Sequence, residues 1–308
     1  RGRERAMHLK KAFWCDGLSS SPRCDAEQSP SPEVEEPVIE LVESLQRQRL
    51  YREVTLALRN GLRDSRAEFS FLRLRGLRSL LKFLRSVSES PTAIDIFCHA
   101  QSISDLQVVP VLFQNSLKCM EDERVETLDH IFTVEALKIT SPSSDAEVAL
   151  SLRVLEGCCL LHKESSNLAL QFKPVTVLMN ILSSRGVLGQ CACLDALITL
   201  MLDSSANQTE FESCDGIKEV AELIRDNRLD ENVRMKCGEF LLLFIGHING
   251  RERTPIATIH EDLKRLLGEK SASLIWAASR FGSSLDMEQR LIALHIQARR
   301  VLESLDMH

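Results

Sequence analysis

LRVLEGCCLLHKESSNLALQFKPVTVLMNILSS occupies residues 152–184. It holds two cysteines, a histidine, a glutamate and a lysine, so it reads either as a reactive site or as one layer of stacked helices. Its register decides. A second stretch begins at Gln190, QCACLDALITLMLDSSANQTEFESCDGIKEVAELIRD, and a third at Val233, VRMKCGEFLLLFIGHI. Leu152 aligns with Leu194 and Cys237, and Leu155 with Leu197 and Phe240. Val175, Leu178 and Leu182 align with Ile217, Val220 and Ile224, at an offset of 42–43 residues throughout. Each copy reads as an apolar helix, a Ser/Asn turn (Ser-Ser-Asn167, Ser-Ala-Asn207) and a second apolar helix led by Pro or Gly. A period in the forties built only of helices belongs to armadillo/HEAT-type solenoids, in which neighbouring units must stack to bury a face none can bury alone.

The expected fold is therefore all-α, an irregular armadillo/HEAT-like helical solenoid of roughly three to four units. A degenerate earlier unit is expected over 70–117, where LRGLRSLLKFL precedes DLQVVPVLFQNSL. Leu74, Leu77, Leu81 and Leu84 make the stripe of its first helix, and Ser90-Pro91 and Ser102/Asp105 are read as helix starts. Further helices are expected over 37–64, with Ile39, Val42, Leu45, Val54, Leu58 and Leu62 at helical spacing, and around 121–139. Ser144-x-x-Glu147 and Thr258-x-x-Glu261 read as capping boxes, and Gly268 closes a helix. The domain expectation is a disordered Ser/Pro-rich tail over 1–36, a helical domain over 37–283 and a capping helix over 284–308. The chain opens at Arg1 rather than Met, as expected of a piece of a longer protein.

Composition agrees with helices: 44% hydrophobic residues, 27% charged, one Tyr, and few Gly and Pro. The net charge of −6 disfavours nucleic acid as a partner. No apolar run reaches the length of a membrane span, and no signal peptide is visible, so an intracellular, reduced setting is expected. The ten cysteines then count as small hydrophobes. Cys158 and Cys159 continue the stripe of Val154 and Leu155, while Cys191 and Cys193 point about 200° apart on a helix and cannot share a metal. No CxxC, P-loop, dinucleotide fingerprint, GxSxG or HExxH occurs. His162 is placed at a helix end, where it would meet the last carbonyls, and Asp195 and Glu239 are read as solvated-face residues. The sequence thus predicts no catalytic residue, no metal site and no cofactor.

Two surfaces remain as candidates for binding a protein partner. One is the basic run Arg59–Arg85, whose row Arg75, Arg78, Lys82 and Arg85 could dock an acidic partner or an anionic membrane surface. The other is the second-helix face, where Gln114, Asn180 and Glu222 fall at equivalent positions. In the tail, Ser21, Ser29 and Ser31 each precede Pro and are candidate phosphorylation sites.

The blocks LRVLEGCCLLHKESS, the segment on to Leu182, DENVRMKCGEFLLLFI (230–245) and the element Thr258–Gly268 resemble the cell division control protein 14 family of the septation initiation network. This is a helical scaffold, not the phosphatase of the same name. Val233–Phe244 is its most specific part, and the resemblance covers about residues 70–275. It implies a non-enzymatic partner of a germinal-centre-type protein kinase in cell-division signalling. It also implies a cytoplasmic location at the spindle pole body or another microtubule-organising centre. The Ser-Pro-rich amino-terminal segment and the helices after Gly268 depart from the family pattern.

Overall fold

The computed structural model describes residues 32–118, 141–202, 204–249, 256–278 and 287–305. The expected helix over 121–139 and the serines Ser21, Ser29 and Ser31 lie outside them. The described residues form fourteen α-helices and one 3₁₀ turn, with no strand. The chain divides into residues 1–46 and 47–308 by its internal contacts.

Helix α1 (Pro32–Ser65) starts five residues before its expected position. Val54, Leu58 and Leu62 are buried, whereas Ile39, Leu41, Val42 and Leu45 are exposed. The reason is helical phase: Leu45 and Val54 are nine residues apart, two and a half turns, and so lie on opposite sides of the rod.

In the second unit, α2 (Ser70–Val87), α3 (Pro91–Gln101) and α4 (Val108–Gln114) come first. Ser90 caps α3 as expected, accepting from the Ala93 N–H at 3.4 Å, with Pro91 in the first turn. Ser102 ends α3 instead of starting a helix, and Asp105 lies inside the 3₁₀ turn Ser104–Leu106 without capping it. The α2 core stripe is Leu77, Leu80, Leu84 and Val87, not Leu74 and Leu81, which are half-buried. Gly76 lies on that same buried side. A Cβ there would stand 2.6 Å from the backbone N of Ser65 and 2.7 Å from the carbonyl O of Gly61, so α1 and α2 cross in near-backbone contact.

Next come α5 (Asp145–Leu161), α6 (Glu164–Leu170) and α7 (Pro174–Ser184), then α8 (Val187–Met201), α9 (Ser205–Ser213) and α10 (Gly216–Arg225). The expected Ser/Asn turn is thus a short helix in both copies, and each copy holds three helices. Ser204 caps α9 by accepting from the Asn207 N–H, and Asn207 is fully buried, giving its amide N–H to the Leu200 carbonyl at 2.9 Å. Asn207-Gln208-Thr209 spells an N-glycosylation acceptor, but its asparagine is closed off inside the fold. Helices α11 (Glu231–Asn249), α12 (Ile256–Leu267), α13 (Glu269–Ala278) and α14 (Met287–Leu305) complete the described chain. Thr258 sits inside α12 rather than before it, so it is no cap, while Gly268 closes the helix at φ +84°.

The long helices α2, α5, α8, α11 and α14 pack each on the next. The shorter ones pack beside them: α4 on α5 and α6, α7 on α8 and α9, and α10 on α11 and α12. One apolar core runs through these contacts, from Val54 to Leu302. Phe211, Phe240 and Phe244 form a ring cluster within it, with centroids 5.3–5.9 Å apart. Gly216 explains the glycine that leads α10: a Cβ there would sit 2.2 Å from the Phe211 ring. Cys158, Cys159, Cys193 and Cys237 are core residues.

Candidate protein-interaction surface

The basic run separates once side chains are placed. Arg73 leaves the surface altogether: it is buried and bonds to buried Glu147 of α5 through Nε at 2.6 Å and Nη2 at 3.2 Å. Its remaining N–H groups donate to the carbonyls of Ala67, Glu68 and Ser141. Ser70 and Ser143 hydroxyls donate to the same carboxylate. The capping box at Ser144 is consequently half-made. Ser144 Oγ accepts from the Glu147 N–H at 3.3 Å, but the Glu147 side chain turns to Arg73 and Ser70.

Arg75, Arg78, Lys82 and Arg85 are exposed on one side of α2. Arg75 bonds to Asp64 at 2.9 Å, and that hydrogen bond chiefly holds the Asp64 carboxyl below the usual carboxylate range. The side chains of Arg78, Lys82 and Arg85 form no hydrogen bond or ion pair among the described residues.

Gln114, Asn180 and Glu222 are all exposed, on α4, α7 and α10. Only Asn180 lines the cavity of about 380 Å³ where the end of α4, the start of α5 and α7 meet. Leu117, Val148, Val177 and Ile181 supply its apolar wall. Asn180, Ser183 and Ser184 supply polar edges, and Lys118 and Arg185 its charges, with no acid among the described lining residues. Such a groove suits an apolar side chain with an acidic neighbour. Glu222 instead faces Lys218 on its own helix, at 4.0 Å.

A band of alternating charge crosses the long helices. Arg153 (α5) meets Asp195 (α8) at 3.4 Å, and Lys236 (α11) meets Asp195 at 3.1 Å and Glu239 at 3.2 Å. His295 Nδ1 of α14 lies 3.2 Å from Glu239. Asp195 and Glu239 are thus paired surface groups, and neither is a free base. Burial lowers the Lys236 pKa, but Asp195 and Glu239 outweigh it and leave the amine above its ordinary value. Burial, helped by Asp195, raises Glu156.

His162 differs from its expected role. Its backbone N–H closes α5 on the Cys158 carbonyl at 2.9 Å, but its ring faces the Ser165 hydroxyl at 3.0 Å, and burial lowers its pKa. Among the described residues no group of His, Cys, Asp and Glu is arranged to hold a metal, and no helix is long and apolar enough to cross a membrane. Sequence reading missed the Arg73–Glu147 pair. The one available signal was an Arg at a position where α2 needs an apolar residue.

No curated protein and no solved structure matches the chain. A family model does: Cell division control protein 14, SIN component, matches residues 122–275, half of the 308, from before α5 through most of α13. It includes Val233–Phe244, the apolar core of α11 and the segment that carried the resemblance. The chain belongs to the cell division control protein 14 family, a component of the SIN.

Proposed function

We propose that this chain is a non-enzymatic interaction scaffold, the regulatory partner of a germinal-centre-type protein kinase in septation and cytokinesis signalling. Membership of a cell-division family over residues 122–275 carries the reading. The long helices of that region, each packed on the next, support an armadillo-like solenoid with α14 as its cap. Its action is positional: a rigid helical surface holds a partner through a few anchors rather than performing chemistry. The groove beside Asn180 is the best anchor pocket, because it combines an apolar wall with two cations. Gln114 and Glu222 extend that surface along the stack. The site of action is cytoplasmic, at the spindle pole body or another microtubule-organising centre.

Affinity purification of the full chain from its native cells, with mass spectrometry through the cell cycle, tests this. A germinal-centre-type kinase in stoichiometric yield is expected, reduced at least tenfold by Asn180→Arg. Absence of any kinase at every stage overturns the reading.

A further inference from the structure

Helix α2 carries five cations and no acid. Arg73 turns inward to Glu147, and Asp64 holds Arg75. Arg78, Lys82 and Arg85 are left exposed, their side chains unpaired among the described residues. Residues seven apart on a helix differ in direction by only about 20°. Phe71, Arg78 and Arg85 are so spaced, and Lys82 stands about 40° from Arg78. The four side chains therefore line one side of α2 over about 21 Å of its length. That side is turned away from the core. Arg78 lies about 200° round the helix from Gly76, which makes the close contact with Gly61 and Ser65 of α1.

The row has an apolar head. Phe71 is 66% exposed, and its ring stacks on that of Phe69, itself 47% exposed, at 5.9 Å. Two uncovered rings thus lead a line of uncovered cations.

We propose that this side of α2 lies on an anionic lipid surface, with Phe69 and Phe71 at the boundary of the acyl chains and Arg78, Lys82 and Arg85 on the headgroup anions. A plane touches a straight helix along one line, and these groups occupy that line. An acidic protein would satisfy the cations but gives the rings no place to go. A bilayer offers an anionic layer and an apolar one just beneath it. The net charge of −6 does not oppose the contact, because charges farther than about 8 Å from the surface are screened at physiological salt. Helix α2 precedes the family-matched residues, so this contact stands or falls apart from the kinase reading.

Flotation of the full chain with lipid vesicles tests it. Binding is expected at about 50 mM salt to phosphatidylcholine vesicles holding about 30% phosphatidylserine, and should be at least about tenfold weaker at about 300 mM salt or on pure phosphatidylcholine. The triple variant Arg78→Glu, Lys82→Glu, Arg85→Glu should lose about a hundredfold or more, since each cation beside such a surface contributes about fivefold. Phe71→Ser should lose about fivefold and keep the salt dependence. The double variant Arg78→Lys, Arg85→Lys retains the charge and should bind as the wild type does. Circular dichroism checks that each variant is folded. No flotation at low salt overturns the proposal, as does flotation that survives the triple reversal or needs no phosphatidylserine. Salt-sensitive binding of polyglutamate through this row, without flotation, would assign the row to an acidic protein instead.

Discussion

Arg73 of α2 and Glu147 of α5 form a bidentate ion pair inside the core, with side chains 6% and 0% exposed. Every remaining Arg73 N–H direction reaches a carbonyl, and two serine hydroxyls complete the carboxylate's shell. Desolvating two charges is costly, and only such complete pairing offsets it. The pair clamps the first long helix to the next.

Breaking one side of that clamp is expected to be severe. Arg73→Met leaves a buried carboxylate without its counter-ion and should lower stability by about 3–5 kcal/mol. The double variant Arg73→Met, Glu147→Leu should regain a large part of the loss, because no buried charge is then left. Urea denaturation of the three variants measures both. A single variant within about 0.5 kcal/mol of wild type would show that the pair contributes little.

Lys173 and Asp215 occupy the same place in two copies of the repeat, directly before α7 and α10, and both are left-handed, at φ 48° and 54°. A side chain there is strained, and Lys173 also precedes Pro174, which disfavours helical conformations. Lys173→Gly and Asp215→Gly should each stabilise the fold, by up to about 1 kcal/mol after the glycine's greater unfolded entropy is subtracted. Thermal unfolding reads the gain. A lower melting temperature for both would show that the side chains contribute more than the strain takes away.

The pH response carries a predictable sign at Glu156. Burial raises its pKa above the unfolded value, and nearby Asp195 adds to the shift. The folded state therefore favours the protonated form. That contribution is fully present below the unfolded pKa and is lost as pH rises through the folded one. Glu156→Gln should raise stability at neutral pH and flatten the stability profile on the acid side, against the wild type. An unchanged profile would show that Glu156 titrates alike in both states.

Thiol chemistry should divide the described cysteines by depth. Burial pushes the Cys159 thiol up to about 11 and Cys237 to about 12, and raises Cys158 and Cys193 as well. Little thiolate exists at neutral pH, so these four should alkylate only on unfolding. Cys98, Cys191 and Cys214 are half-buried and should label first. Peptide mapping after a short iodoacetamide pulse ranks them, and early labelling of Cys193 would contradict the described core.

The 42–43-residue offset was legible because burial needs the same apolar positions in every copy, and that periodicity survives in the letters. It set the all-helical class, the third helix of each copy led by Pro174 or Gly216, and the core role of Cys158 and Cys193. Family membership followed from the same blocks. The second helix of each copy was hidden because α6 and α9 are short and polar, and read as turn. Which side of a helix faces inward also stayed hidden wherever a helix carries two apolar stripes, as α1 does with Leu45 and Val54. The fate of Arg73 needed the third dimension: its letter matches Arg75 and Arg78, and only Glu147, 74 residues away, separates a buried clamp from a solvated row. Local spacing fixes which residues share a face, whereas a contact between distant helices exists only once the chain has folded.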